Sequence, residues 1–266
     1  MTYRRILYNE IGTLEDAAKV VDATSTHGLQ THKQVRQLLV DHNKNDAFGI
    51  SLLHRHFPLG PKQILVEMNN ITTPWSMFTM GIAQLYAKGY TQFQEGIIYP
   101  TSWMIVAPED GQTGGCGLMP YEFAFTFDWE SVPDNLNPFS RENEAFVASF
   151  LDTVRQLGYE KHVALSLVPE VDVDGAIETT IGHANVLRLK GEHNVVSPAH
   201  PADSKHNIQA SFFWPTQPDG TISQKAKGAS CEGWDTCKAT VKGRWFANQS
   251  SEYLNGVDPT GVGCGD

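Results

Sequence analysis

The chain alternates apolar with small or charged residues along residues 48–57, which read FGISLLHRHF. Alternate side chains of a β-strand point to the same face, so the stretch predicts a strand with one largely apolar face. Five residues share that face: Phe48, Ile50, Leu52, His54 and His56. The two histidines therefore continue a core face at the end of a strand, where the opening of a pocket is expected.

A second predicted strand, residues 64–68, follows the turn-forming residues of the run Pro58-Leu59-Gly60-Pro61. Two strands joined in this way are expected to pair as a hairpin. Glu67 is then the carboxylate nearest to the histidines. If the numbers of two residues that pair across the turn add up to an odd number, Glu67 shares the face of the two histidines. If they add up to an even number, Glu67 points to the opposite face. His183, on a later predicted strand, is the alternative third ligand.

Two imidazoles two residues apart on a strand can converge on one metal ion, and a carboxylate completes a two-histidine, one-carboxylate set. The chain has ten histidines, so a purely structural, hydrogen-bonded pair is the alternative. The sequence predicts a mononuclear site of His54, His56 and Glu67 that holds a divalent metal, zinc or iron. The predicted function is a metal-dependent enzyme (oxygenase, lyase or hydrolase) that acts on a small organic substrate.

Two other functions compete with this prediction. Cys116 lies between glycines in the run Gly114-Gly115-Cys116-Gly117, and a hydrolase or transferase could use its thiolate as the nucleophile, with His183 as the base. A predicted strand at residues 121–127 places Phe123, Phe125 and Phe127 on one face. That face is typical of a core, but it could also line the cavity of a non-catalytic binding protein for a hydrophobic small molecule.

Helix signals are fewer than strand signals. Thr13, Thr31 and Ser140 each precede a stretch of apolar residues at helical spacing, and Gly158 follows the third stretch as a C-terminal cap. Strands are further predicted at residues 102–107, 162–168, 177–189 and 209–214. Since helices do not alternate with single strands, we expect an α+β fold: a mainly antiparallel sheet with about three helices packed on it. Residues 1–266 are predicted to form a single globular domain, with a polar surface excursion near 215–239.

Composition limits the partners. The formal net charge is −10, and no basic run is longer than Arg4-Arg5, so a nucleic-acid partner is not expected. No segment has the roughly 18 apolar residues of a membrane span, and no export signal is recognisable at the N-terminus. We therefore expect a cytoplasmic protein with a small-molecule substrate and reduced cysteines. A bridge between Cys231 and Cys237 is the alternative to reduced thiols, and the sequence does not indicate an oligomeric state.

Overall fold

One strongly curved sheet makes up most of the described chain. The computed structural model describes residues 5–21, 26–77, 90–106, 117–128, 132, 137–190 and 207–232, and within them twelve strands form a single sheet. The strands are β1 Phe48–Leu52, β2 Gln63–Met68, β3 Ile71–Ser76, β4 Thr91–Phe93, β5 Gly96–Val106, β6 Gly117–Thr126, β7 Val163–Leu167, β8 Ile177–Ile181, β9 Ala184–Arg188, β10 Asn207–Gln209, β11 Ser211–Phe212 and β12 Ser230–Glu232.

Helices contribute less than strands to the described ranges. They are α1 Arg5–Asn9, α2 Leu14–Val20, α3 Thr26–Asp41 and α4 Glu144–Leu157, with the 3-10 turn Arg141–Asn143 leading into α4. Apolar side chains of α2, α3 and α4 pack with those of β1, β5 and β7 in one hydrophobic cluster. None of these helices combines the length and the apolar character needed to cross a bilayer.

The sheet curls into a nearly closed barrel. Its strand order is β10-β12-β8-β9-β3-β2-β6-β5-β7-β1-β11, with β4 added beside β5. The two ends of this order, β10 and β11, are consecutive along the chain and are separated only by Ala210. The amide of Leu52 donates to the carbonyl of Ala210, whose own amide donates to the carbonyl of Ala229. The segment from β10 to β11 therefore lies between β1 and the chain leading into β12.

The predicted fold class is wrong. The protein is a mostly-sheet, barrel-like fold with a mixed sheet, not an α+β fold with a mainly antiparallel sheet and about three helices packed on it. Two parallel pairs, β2 with β6 and β12 with β8, interrupt the antiparallel pairing. Residue alternation shows which side chains share a face, but it carries no information about strand direction or partner.

The predicted hairpin between residues 47–57 and 64–68 is also wrong. β1 pairs with β7 and β11, whereas β2 pairs with β3 and β6. The strand predicted at residues 177–189 is divided into β8 and β9 by a turn in which Gly182 has φ 61°. Strand-forming residues on both sides of a turn concealed that division.

Helix ends were predicted with mixed success. Thr13 is the N-cap of α2, and its side chain accepts a hydrogen bond from the amide of Asp16. Gly158 ends α4 in the left-handed region with φ 72°. Thr31, however, lies within α3, which already begins at Thr26. Here the apolar spacing marked the helix correctly and the capping pattern did not.

Strand register defines an inner face of the barrel. Ser102 of β5 pairs with Glu122 of β6 and with Ser166 of β7. Leu65 of β2 pairs with Glu122, which puts Glu67, two residues further along β2, on the same face. Paired residues of neighbouring strands point to one side of a sheet. The inner face therefore carries serine hydroxyls and carboxylates, while the apolar residues of β1 face the helices.

Candidate metal centre

His54 and His56 lie on the segment that leaves β1. The strand ends at Leu52, so the predicted alternation does not continue to the histidines. The backbone beyond it is held by two hydrogen bonds, from the amide of Leu53 to the carbonyl of His162 and from the amide of Arg55 to the carbonyl of Gly12. Both imidazoles are buried, with 9% and 7% of their surface exposed, and their ring centroids are 4.4 Å apart.

Each imidazole is oriented through its Nδ1 atom. Nδ1 of His54 lies 2.7 Å from the carbonyl oxygen of Leu52, an acceptor only, so Nδ1 carries the proton. Nδ1 of His56 lies 3.0 Å from Oγ1 of Thr180, whose hydroxyl donates to Oδ1 of Asn185 at 2.7 Å. Thr180 therefore accepts from His56. In both rings Nε2 is the unprotonated nitrogen, which is the form that binds a metal.

Two further residues complete a compact group. His54, His56, Glu178 and Cys231 each offer one ligand atom, and these four atoms lie within 4.8 Å of one another. Glu178 and Cys231 are register partners on the parallel strands β8 and β12. Oε2 of Glu178 is 3.6 Å from Nε2 of His56. Nε2 of His54 is buried and has no hydrogen-bond partner among the described residues.

Burial controls the protonation of this group. It lowers the pKa of His54 to about 4, and the neighbouring His56 contributes to that shift. Burial likewise lowers the pKa of His56 to about 4. The pKa of Glu178 is raised by burial, against the opposing effects of His54 and of hydrogen bonds with Cys231 and Asn185. At neutral pH both imidazoles are therefore uncharged and able to act as ligands.

The inner face carries two more carboxylates beside the group. Burial and the charge of Glu178 raise the pKa of Glu67. The same two causes, in the same order, raise the pKa of Glu122 to about 8. Glu67, Glu122 and Glu178 all keep partial solvent access, although protein surrounds them closely enough to shift their pKa values. They therefore lie on the inner face of the sheet and are partly shielded from solvent.

The structure brings together part of the predicted ligand set. His54 and His56 are adjacent, as predicted. Glu67 is not a member of the four-residue group, although its carboxylate is close enough to interact electrostatically with Glu178. His183, the alternative ligand, is exposed in the turn between β8 and β9, where its ring stacks on Phe57 at a centroid distance of 5.5 Å.

The residues of the competing predictions lie outside the described chain or on the outer side of the sheet. Cys116, the predicted nucleophile, and Cys237, the predicted bridge partner of Cys231, lie outside the described residues. The aromatic face of β6 lies opposite the inner face: Phe123 is buried, and Phe127 is 68% exposed. Phe125 packs against Trp75 at a centroid distance of 5.4 Å. These rings form part of an outer hydrophobic cluster.

Sequence reasoning missed Glu178 and Cys231 for different reasons. Glu178 belongs to the even-numbered face of β8, whereas the largely apolar pattern that leads to His183 lies on the odd-numbered face. Cys231 was predicted to be a reduced thiol, with a bridge to Cys237 as the alternative, and not to be a ligand. Its place beside Glu178 depends on a parallel pairing of strands more than fifty residues apart in sequence. A thiol and a carboxylate at such a separation give no local signal.

Comparison of the chain with protein-family models, with curated protein sequences and with solved structures finds no match. The site is therefore interpreted from its own geometry.

Proposed function

We propose that the protein is a zinc-dependent enzyme that activates water for attack on a small organic substrate. His54, His56 and Cys231 are the proposed zinc ligands, and Glu178 is the proposed general base. The single observation that carries the proposal is Nε2 of His54, which is buried without a hydrogen-bond partner and belongs to a compact group of metal-binding side chains. Leaving a buried polar atom unsatisfied costs free energy, and a bound metal would satisfy it.

The hydrogen bonds to Nδ1 support a ligand role for both histidines. Histidine ligands typically donate their second ring nitrogen to a carbonyl, carboxylate or other acceptor, which fixes the ring and its tautomer. Leu52 supplies such an acceptor for His54, and Thr180 supplies one for His56. A purely structural pair would be expected to use both nitrogens of each ring. The contacts of His54 instead leave Nε2 available.

The donor set favours zinc. Two imidazoles and a thiolate, with a carboxylate nearby, are typical zinc ligands, and soft thiolate ligands disfavour Mg²⁺ and Ca²⁺. The thiol of Cys231 would lose its proton on coordination. Iron is the other metal expected from the sequence, and metal analysis of the purified protein distinguishes it from zinc.

Glu178 is assigned as the base because its side chain has more access to solvent than that of His56, with which it forms a close pair. Its side chain is 23% exposed, compared with 4% for that of His56. Zinc lowers the pKa of a bound water to about 7. Because burial raises the pKa of Glu178 above the ordinary value of a glutamate, its carboxylate would accept the proton of such a water more effectively than an ordinary glutamate does.

Metal analysis of purified protein tests the site. We expect close to one zinc per chain, and at least about a tenfold loss of zinc affinity in His54→Ala, His56→Ala and Cys231→Ser. His183→Ala is the matched control, because this exposed histidine stacks on Phe57 outside the group. A wild-type protein that binds no stoichiometric metal, or a control variant that loses zinc as readily as His54→Ala, would contradict the proposal.

Cobalt substitution distinguishes an enzyme from a structural zinc protein. A site with three protein ligands keeps one position open, so the Co²⁺ absorption spectrum should change with pH and on addition of azide. A site closed by four protein ligands should show neither change. We expect Glu178→Gln to retain cobalt and to lose the metal-dependent hydrolysis of an activated ester such as p-nitrophenyl acetate. A closed spectrum, with cobalt lost in Glu178→Gln, would indicate a structural site instead.

A further inference from the structure

We propose that Asn185 selects the tautomer of His56 that can bind a metal, and that it acts through the hydroxyl group of Thr180. Asn185 is thus a positioning residue, because it decides which nitrogen of the His56 ring carries the proton without being one of the four metal-binding side chains. The inference rests on the proposed function, since it takes His56 as a zinc ligand. It gives a role to a buried asparagine that the proposed chemistry does not use.

The hairpin of β8 and β9 places Asn185 beside Thr180. The two residues are register partners across the turn that contains Gly182. Paired residues of an antiparallel hairpin point to the same side of the sheet, with Cβ atoms about 4.5–5.5 Å apart. Asn185 is 2% exposed, and a buried amide group needs hydrogen-bond partners within the protein. Thr180 supplies one of these partners.

Three polar atoms follow one another in this arrangement: Nδ1 of His56, Oγ1 of Thr180 and Oδ1 of Asn185. The two successive distances are 3.0 Å and 2.7 Å. A hydroxyl group has one proton to donate, and an amide oxygen is an acceptor only. The proton of Thr180 therefore points to Asn185, and Thr180 can only accept from His56. This direction requires the proton of the neutral His56 ring to lie on Nδ1.

The opposite tautomer of His56 has a competing partner. Nε2 of His56 lies 3.6 Å from Oε2 of Glu178, which is slightly longer than an N–H···O hydrogen bond. A proton on Nε2 could reach this carboxylate after a small movement, and a hydrogen bond to an ionised acceptor is roughly twice as strong as a neutral one. That hydrogen bond would occupy the nitrogen that a metal needs. The pair of Asn185 and Thr180 opposes it.

The consequence for metal binding is that Nε2 of His56 is available in advance. With the proton on Nδ1, zinc binds to Nε2 without displacing a proton from the ring. With the proton on Nε2, the ring must first lose its hydrogen bond to Glu178 and move the proton to the other nitrogen. Partners that orient a histidine ligand through its second nitrogen typically contribute about tenfold to a hundredfold in metal affinity. We expect Asn185 to contribute within this range.

His54 provides an internal reference for the inference. Its Nδ1 lies 2.7 Å from the carbonyl oxygen of Leu52, and a carbonyl oxygen can only accept. The backbone therefore fixes the tautomer of His54. The hydroxyl of Thr180, in contrast, can donate or accept, so the tautomer of His56 depends on what else that hydroxyl contacts. Removing Asn185 should change the proton position in His56 and leave that in His54 unchanged.

Nitrogen NMR spectra of the chelator-treated protein, isotopically labelled at histidine, test the inference at pH 7, where both rings are uncharged. The protonated and unprotonated nitrogens of an imidazole give well-separated signals, and the variants His54→Gln and His56→Gln assign the two rings. We expect the proton of His56 on Nδ1 in the wild type and mainly on Nε2 in Asn185→Leu. A wild-type proton on Nε2, or an unchanged tautomer in Asn185→Leu, would overturn the inference.

Asn45→Leu is the matched control. Asn45 is 5% exposed and its amide donates to Oγ1 of Thr216 at 3.1 Å, so this variant also separates a buried asparagine from a threonine hydroxyl. It should leave the tautomer of His56 unchanged, and a change equal to that in Asn185→Leu would count against a specific role of Asn185. Asn185→Ala removes the same acceptor without adding apolar volume, and it replaces Asn185→Leu if the latter does not fold.

Zinc affinity gives a second readout and separates the inference from the proposed function. In competition with a chromophoric chelator, Asn185→Leu should bind zinc at least about tenfold more weakly than Asn45→Leu, with one zinc still bound at saturation. Equal affinities would overturn the inference and leave the proposed function intact. A wild-type protein without stoichiometric zinc would contradict the proposed function, and the NMR spectra of the metal-free protein would still decide whether Asn185 selects the tautomer of His56.

Discussion

The imidazole of His54 is buried in a way that is costly without a further partner, because its Nε2 atom has no hydrogen-bond partner among the described residues. His54 and His56 are almost completely removed from water, and each has Nδ1 satisfied by the chain itself. An unsatisfied buried nitrogen costs roughly 1–3 kcal/mol. The hydrogen-bonding arrangement thus stabilises the orientation of each ring while leaving one nitrogen directed at Glu178 and Cys231. The proposed metal accounts for that cost.

A variant of Thr180 tests how the orientation of the His56 ring affects zinc binding without removing the ring. Thr180→Val removes the acceptor at Nδ1 and keeps the side-chain shape, so zinc affinity should fall about tenfold or more while one zinc still binds at saturation. Competition with a chromophoric chelator measures the affinity. The neighbouring Thr179→Val is the control, because Thr179 accepts from Arg188 instead. Equal zinc affinity in both variants would show that Thr180 has no orienting role.

The depressed pKa values of the two histidines predict acid sensitivity of the metal-free protein. Each pKa is about 4 in the folded protein and 6.5 in the unfolded chain. Between these values the unfolded chain binds more protons, so the free energy of unfolding falls as pH falls from 6.5 toward 4. Glu67, Glu122 and Glu178 have raised pKa values and oppose this trend.

A comparison of variants isolates the histidine contribution. Urea unfolding of the chelator-treated wild type and of the double variant His54→Gln, His56→Gln should be measured at pH 6.5 and pH 5. We expect the wild type to lose roughly 2–3 kcal/mol more than the double variant over this interval. Parallel losses in the two proteins would mean that these histidines are not the groups that titrate.

At the scale of single elements, sequence signals were reliable where the cause was local. The end of α4 is an example, because the backbone reverses at Gly158 with φ 72° and its amide donates to the carbonyls of Arg155 and Val154. Only glycine adopts that conformation without a steric penalty from a side chain. The beginning of α3 is the contrary example: Thr31 matched a capping pattern, but the helix already begins at Thr26 and continues through Thr31.

Gly158→Ala should therefore destabilise the protein by about 1–2 kcal/mol. No atom lies within 4 Å of an added Cβ, so the whole cost comes from the backbone. Gly158→Asn should cost less, because asparagine tolerates the left-handed region better than alanine does. The free energy of unfolding in urea measures both variants. A stable Gly158→Ala variant would show that α4 can end in another conformation.

At the scale of the whole molecule, closure of the barrel depends on close backbone approach. We define the closing seam as Gly49 of β1, the segment 211–213 and Gly228. A Cβ at Gly49 would lie 2.3 Å from Cδ1 of Phe213 and 2.5 Å from the carbonyl oxygen of Phe212. A Cβ at Gly228 would lie 1.9 Å from the carbonyl oxygen of Ser211. Glycine within a strand often marks such an approach.

Gly49→Ala should accordingly destabilise the fold by about 1–3 kcal/mol or more, because a backbone carbonyl cannot move aside as a flexible side chain can. Gly12→Ala is the matched control, since the nearest atoms to its Cβ would be 3.9 Å away. Chemical unfolding at pH 7 compares the two. If Gly49→Ala is as stable as Gly12→Ala, the seam does not require glycine at this position.

The sequence by itself determined the local features of this protein. It located most strands and the ends of two helices, and it singled out the His54 and His56 pair, because alternation, capping and left-handed glycines act over a few residues. Only the tertiary structure decided that the sheet is mixed and nearly closed, and that Glu178 and Cys231 join the histidines while Glu67 stays apart. These outcomes depend on the pairing and direction of strands distant in sequence, which are set by burial of the whole sheet and not by any local pattern.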